Sequence, residues 1–162
     1  MVYVLSLWQR AGRAPFGDRL FSTMFGLRAP YFRSVRPRFT RLEPHRAELV
    51  VRDRRRVHNH LGTVHAIALC NGLEAAMGAL AEATIAPDRR WIPKGMQVAY
   101  TAKAAGDVTC IAETSPDDWT GGEAREVPVR VRGELADGTI VIEGVITLWV
   151  TPRPDGASSA SR

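Results

Sequence analysis

Between Pro44 and Pro87 the chain carries no proline, and residues 63–86 within that window are apolar on almost every helical face. The run is rich in Ala and Gly. A helix of that make-up is buried on most of its circumference, and its small residues let another element come close. A lipid-facing span would not hold His65, Asn71, Glu74 and Glu82, all of which lie in the apolar stretch 61–86. The sequence therefore has to build a soluble wall around one buried helix.

Strands supply that wall. Residues 38–42 and 47–51 flank the turn Glu43-Pro44-His45-Arg46. After the helix, Met96, Val98, Tyr100 and Ala102 alternate with Gln97, Ala99, Thr101 and Lys103, and a strand over 108–113 follows Ala105-Gly106-Asp107. Residues 115–125 read as a polar loop. Val127, Val129 and Val131 alternate with Pro128, Arg130 and Arg132, and the proline prefers an edge or a bulge. Asp137-Gly138 signals a hairpin, after which Ile140, Ile142, Ile146, Leu148 and Val150 share one face. Two strands, a helix and four strands joined by short turns predict an α+β domain, a curved antiparallel sheet wrapped around one long central helix over 35–151. Residues 1–34 read as an N-terminal helical extension that packs on its own domain, and 152–162 as a disordered tail.

All but two of the 22 basic residues are arginine, the exceptions being Lys94 and Lys103. Residues 1–65 hold 13 arginines against 4 acids, whereas residues 66–162 carry a net negative charge. Such a half suits a phosphorylated small molecule, an anionic lipid or nucleic acid. No aromatic-basic interleaving supports nucleic acid, and none is expected. Two cysteines, Cys70 and Cys110, make neither a disulfide scaffold nor a four-ligand zinc site and read as buried free thiols. The N-terminus lacks the basic lead of a secretory signal, so the expectation is a cytoplasmic protein without integral membrane contact.

The polar residues that could do chemistry gather at the mouth of the helix: His58, Asn59, His60, Gly62, Thr63 and His65, with Glu74 inside it. Gly62 suits a turn and Thr63 suits the N-cap, which puts His65 in the first turn. Free backbone N–H groups such as that of Ala66 there face outward, where a carbonyl oxygen can become an oxyanion. Glu74 follows His65 by nine residues, which on one helix is half a revolution and about 13.5 Å of rise. The two side chains cannot serve one site within a single chain. If they cooperate, two chains must pack so that each His faces the other's Glu. The spacing of His58, His60 and His65 fits no zinc site, and no metal is expected.

Residues 59–68, Asn-His-Leu-Gly-Thr-Val-His-Ala-Ile-Ala, together with Glu74, resemble the active-site stretch of the hotdog-fold acyl-CoA thioesterases. Those proteins carry Asn, then Gly-x-x-His-Gly-Gly, then an acid nine residues after the His. The strand 96–100, Met-x-Val-x-Tyr, is similar to theirs, and the element order matches over about residues 38–150. His65-Ala66-Ile67 in place of His-Gly-Gly resembles an uncharacterised bacterial subgroup, as does the basic lead-in Asp53-Arg54-Arg55-Arg56.

The resemblance implies a hotdog fold paired into a homodimer with a continuous sheet, sometimes doubled to a homotetramer. It implies hydrolysis of an acyl-CoA to free acid and CoA, with no cofactor beyond the CoA of the substrate. Glu74 would be general base or nucleophile, the Ala66 N–H would polarise the thioester carbonyl, and Asn59 and His65 would position water and substrate from the other subunit. His60 and Gly62 would shape the substrate site, and Arg54, Arg55, Arg56, Arg89, Arg90 and Lys103 are the candidates to meet the CoA phosphates. Two alternatives stand beside this reading: a non-hydrolytic acyl or acyl-CoA binding protein, and a hydratase or dehydratase acting on a 3-hydroxyacyl thioester.

Overall fold

The computed structural model describes residues 3–121 and 123–153. Helices α1 (Tyr3–Ala11) and α2 (Gly17–Arg28) and a 3-10 turn over Pro30–Ser34 come first. Strands β1 (Arg38–Glu43) and β2 (Arg46–Val51) then lead through a loop to helix α3 (Ala66–Thr84). Strands β3 (Arg89–Tyr100), β4 (Val108–Glu113), β5 (Arg125–Glu134) and β6 (Ile140–Pro152) complete one six-stranded sheet. The strand order is β1-β2-β4-β5-β6-β3, antiparallel at every pairing. This is the hotdog arrangement.

The core lies between α3 and one sheet face. Leu69, Leu73, Met77 and Leu80 of α3 are buried against Leu49 and Val51 of β2, Val108 and Cys110 of β4, and Val127 and Val129 of β5. The alternation in β2, β5 and β6 follows from having one face dry and one wet. The wet face carries cross-strand ion pairs, with Glu113 of β4 held between Arg46 of β2 and Arg132 of β5. α3 is the one helix among the described residues long and apolar enough to cross a bilayer, and just over half of that stretch is buried in the fold.

The two sheet edges are treated differently. At β1, α2 lies alongside: Ser22 Oγ accepts the Phe39 N–H at 2.9 Å, Asp18 pairs with Arg38 at 2.7 Å, and Phe21 and Phe25 pack on the Phe39 ring at 5.2 and 4.8 Å. At β3 no element of the chain takes the outer edge among the described residues. An uncovered strand of 12 residues is a template for another chain.

Several local expectations change. The helix starts at Ala66, and its N-cap is His65, not Thr63. β3 starts at Arg89, seven residues before the alternation becomes visible at Met96. Pro128 sits in a strand that is interior by order, but β4 pairs only with residues 130–134 of β5, so at Pro128 the strand has lost that neighbour. The loop 115–125 contains a 3-10 turn over Pro116–Trp119, closed by a capping box at Ser115. Pro152 ends β6 and the Arg153 N–H bonds to the Asp88 carbonyl, so the first two residues of the expected tail are held by the fold, and residues 154–162 lie outside the described residues. Cys110 is buried as expected, whereas Cys70 is only half-buried.

Candidate active site

The loop from Val57 to His65 is pinned from three sides. His58 bridges to Val64, the Val64 N–H donates to the Ala104 carbonyl at 3.0 Å, and the His65 N–H donates to the Val57 carbonyl at 2.7 Å. His58 Nε2 pairs with the Asp53 carboxylate, and the Asp53 N–H is held by Asp107 at 2.8 Å. Within the loop Asn59 Oδ1 accepts from the N–H groups of Leu61 (2.9 Å) and Thr63 (3.2 Å), and Gly62 turns the chain at φ 76°, a conformation that favours glycine. Asn59 therefore commits its acceptor to its own loop and acts through the shape of that loop.

His65 is delivered at the helix start with its ring already engaged. Nδ1 accepts the Ile67 N–H at 3.0 Å. In the neutral ring the proton then sits on Nε2, which is left to donate outward. The carbonyl of His65 receives the first helical bonds, from Ala68 and Leu69. The Ala66 N–H has no acceptor among the described residues and stands at the positive end of the α3 dipole. The Ala66 N–H and, on the far side of the ring from Nδ1, Nε2–H are thus two separate donors at the helix mouth, the first of them able to meet a developing oxyanion.

Glu74 lies about 12 Å further along the axis, at 1.5 Å per residue from Ala66. Because His65 precedes the helix, counting 100° per residue from it does not apply. The axial separation still keeps the two side chains of one chain apart. Glu74 belongs to a stripe of partly open residues, Ile67, Cys70, Glu74, Gly78 and Glu82, at helical spacing. Its half-buried carboxylate has no partner among the described residues. On one side of the stripe lies β3: Tyr100 Oη is 3.6 Å from Cys70 Sγ, and Trp91 Nε1 donates to Glu82 at 2.9 Å. The contact with Cys70 raises the Tyr100 phenol above its ordinary pKa. Exposed Ile67 and Tyr100 border the same open face, whereas exposed Ile92, paired with Trp149, lies on the other face of the sheet. The Cys70–Tyr100 pair was not singled out from sequence, although Cys70 stands one helical turn before Glu74.

The basic residues split into three groups. Arg55 and Arg56 are exposed on the 3-10 turn Arg55–Val57 that leads into the loop, and exposed Lys103 precedes Ala104, which binds Val64; these, with exposed His60, surround the helix mouth. Arg54 instead lines a cavity beneath α2. Arg89 and Arg90 stand at the far end of α3, about 27 Å from its start, where Arg89 donates to the Glu123 carbonyl and Arg90 to Thr151. The structure does not bring those two to the helix mouth of their own chain. No cluster of three or more His, Cys, Asp or Glu able to hold a metal ion occurs among the described residues.

A family model described as "Domain of unknown function (DUF4442)" matches residues 17–150, a span that includes α2. Among solved structures, the structural-genomics protein APC5556 is 40% identical, with a TM-score of 0.82 over 93% of this chain and 99% of its own. A Pseudomonas aeruginosa protein of unknown function described as a probable thioesterase is 19% identical, with a TM-score of 0.75 over 86% of this chain and 97% of its own. A thioesterase from Haemophilus influenzae is 10% identical, with a TM-score of 0.65 over 79% and 87%. The last two are distant enough in sequence to carry the fold alone. No curated protein matches the sequence.

Proposed function

The chain belongs to the DUF4442 family, and we propose that it hydrolyses acyl-CoA thioesters at two composite sites of a homodimer. The observation that carries this reading is the pairing of a bare β3 edge with an open helix face that displays Glu74. Joining two β3 edges antiparallel extends the sheet across the dimer and sets each open face beside the partner's helix mouth. Each helix mouth then has a carboxylate to work with from the other chain.

In this reading the thioester carbonyl oxygen accepts from the Ala66 N–H, and His65 Nε2–H helps to position the substrate. Glu74 of the partner subunit takes a proton from water as the water oxygen bonds to the carbonyl carbon. The C–S bond then breaks, the acid leaves, and the proton passes to the thiolate to give CoA. Asn59 and Gly62 hold the loop in shape, and Arg55, Arg56, Lys103 and His60 meet the phosphate-bearing end of the substrate. No cofactor takes part. His65-Ala66-Ile67 stands where the thioesterases it resembles carry His-Gly-Gly, and in this reading the Ile67 side chain on the Glu74 face forms part of the acyl wall.

The test is a thiol-release screen over short, long and aromatic acyl-CoAs with the wild-type protein and Glu74→Gln. Release of CoA by the wild type and a loss of at least about a hundredfold in the variant, at an unchanged melting temperature, is expected. Ligand-induced stabilisation without thiol release across the panel would establish a binding protein instead.

A further inference from the structure

α2 is apolar on two faces. Phe21 and Phe25 pack inward on Phe39, but Phe16, Leu20, Met24 and Leu27, with Tyr31 of the following 3-10 turn, are each between 41% and 72% exposed, and Met24 and Leu27 also edge a cavity of about 640 Å³ shared with Val4, Leu7 and Glu82. At 100° per residue, Leu20, Met24 and Leu27 fall within an arc of about 60°. Arg19 and Arg28 flank that arc on its two sides. Phe16 takes a left-handed backbone at φ 62°, an outlier for a bulky residue, and this strained position holds its ring in solvent.

Beside the stripe lies a cavity of about 530 Å³ that shares Leu27 with it. Arg19, Arg33, Arg36, Arg38, Arg52 and Arg54 line this cavity. Asp18 answers one of them, Arg38, at 2.7 Å, and no other acid lines it. Arg33, Arg36, Arg52 and Arg54 have no acidic partner among the described residues. Arg36 is also held at positive φ, 48°. Two of the three non-glycine residues with left-handed backbone in the described chain thus belong to this one face.

We propose that this face docks on an anionic phospholipid surface, with the arginine cavity receiving headgroup phosphates and the α2 stripe entering the acyl boundary. An apolar helix face flanked by arginines is the pattern that lies flat in a bilayer interface. Charge complementarity selects the occupant. A second copy docked by a two-fold contact would set the arginine cavities against each other, which like-charge repulsion opposes. A nucleic acid would use the arginines but leave Leu20, Met24 and Leu27 without a role, since aliphatic side chains offer no stacking surface. The proposal is independent of the reaction at the helix mouth, because Glu74 and His65 take no part in it.

Sedimentation of the full chain with vesicles tests it. Protein should pellet with vesicles of phosphatidylcholine plus phosphatidylglycerol and stay in solution with phosphatidylcholine alone, and raised ionic strength should weaken the binding. Arg33→Gln and Arg36→Gln should each lower the partition coefficient about fivefold. Leu20→Glu with Leu27→Glu should remove binding, and Leu20→Gln alone serves if the double variant melts early. Equal pelleting with both vesicle types, or none, overturns the proposal. So does a change of oligomeric state in the Leu20/Leu27 variant, retention on RNA in place of vesicles, or arginine variants that bind as well as wild type.

Discussion

Cys70 and Cys110 sit on neighbouring elements and live in different media. Cys110 is fully buried in β4, and desolvation pushes its thiol up to about 12, so it stays protonated and inert in ordinary buffer. Cys70 is half-buried on the open stripe, in contact with Tyr100 and one turn from Glu74. Iodoacetamide in mildly alkaline buffer should therefore modify Cys70 alone in the folded protein and both residues in denaturant, read by peptide mass spectrometry. Modification of both at equal rates while folded would show that β4 is not sealed. The adduct at Cys70 should also block thioester turnover, since it occupies the Glu74 face. At this scale the sequence was partly legible. The spacing of Asn59, His65 and Glu74 singled out the residues, and the structure places His65 at the N-cap of α3 and Glu74 about 12 Å along its axis. The cap was misplaced at Thr63 because tertiary bonds decide it. Val57 and Ala104, distant in sequence from the helix or on another element, hold the chain extended through His65. No local propensity reports such contacts. Asn59 shows the converse, since its bonds to the Leu61 and Thr63 N–H groups give it the turn role that asparagine ordinarily takes.

Elements with one dry face were readable, and those without were not. β2, β5 and β6 alternate because the α3 side of the sheet excludes water, and their limits lie close to those the pattern predicts. Residues 89–95 of β3 show little such rhythm, because on this edge segment only Arg89 and Trp91 are half-buried, and Pro93 and the irregular register near Gly95 disguise it further. The same logic locates a tight joint between α3 and the sheet. Gly72 of α3 faces β2 and β4, where an added Cβ would lie 2.6 Å from Val51 Cγ2 and 2.7 Å from Cys110 Sγ. Gly72→Ala sets two effects against each other. Helix propensity favours alanine by about 1 kcal/mol. Overpacking a core costs about 1–3 kcal/mol, and two short, fully buried side chains cannot swing aside. The clash wins, so the variant should melt several degrees below wild type in a thermal scan. An unchanged or raised melting temperature would mean that α3 and the sheet have slack between them.

For the whole molecule, the proposed reaction requires groups of two chains to meet across a dimer. The β1 edge is closed by α2 and the β3 edge is not, so pairing through β3 is the association the fold invites. In that pairing a His65 defect in one chain and a Glu74 defect in the other fall at the same site of a mixed dimer, which leaves its second site whole. Glu74→Gln and His65→Ala should each abolish turnover alone. Refolded together from denaturant in equal amounts, they should recover about a quarter of the wild-type rate, because half of the dimers are mixed and each mixed dimer keeps one of two sites. Mixing without unfolding should restore activity only as fast as subunits exchange, which separates complementation from contamination. No recovery, with both variants folded and dimeric by analytical ultracentrifugation, would place Glu74 and His65 in unrelated roles. The arithmetic discriminates because 12 Å along a rigid helix is too far for one substrate carbonyl to touch both groups of one chain.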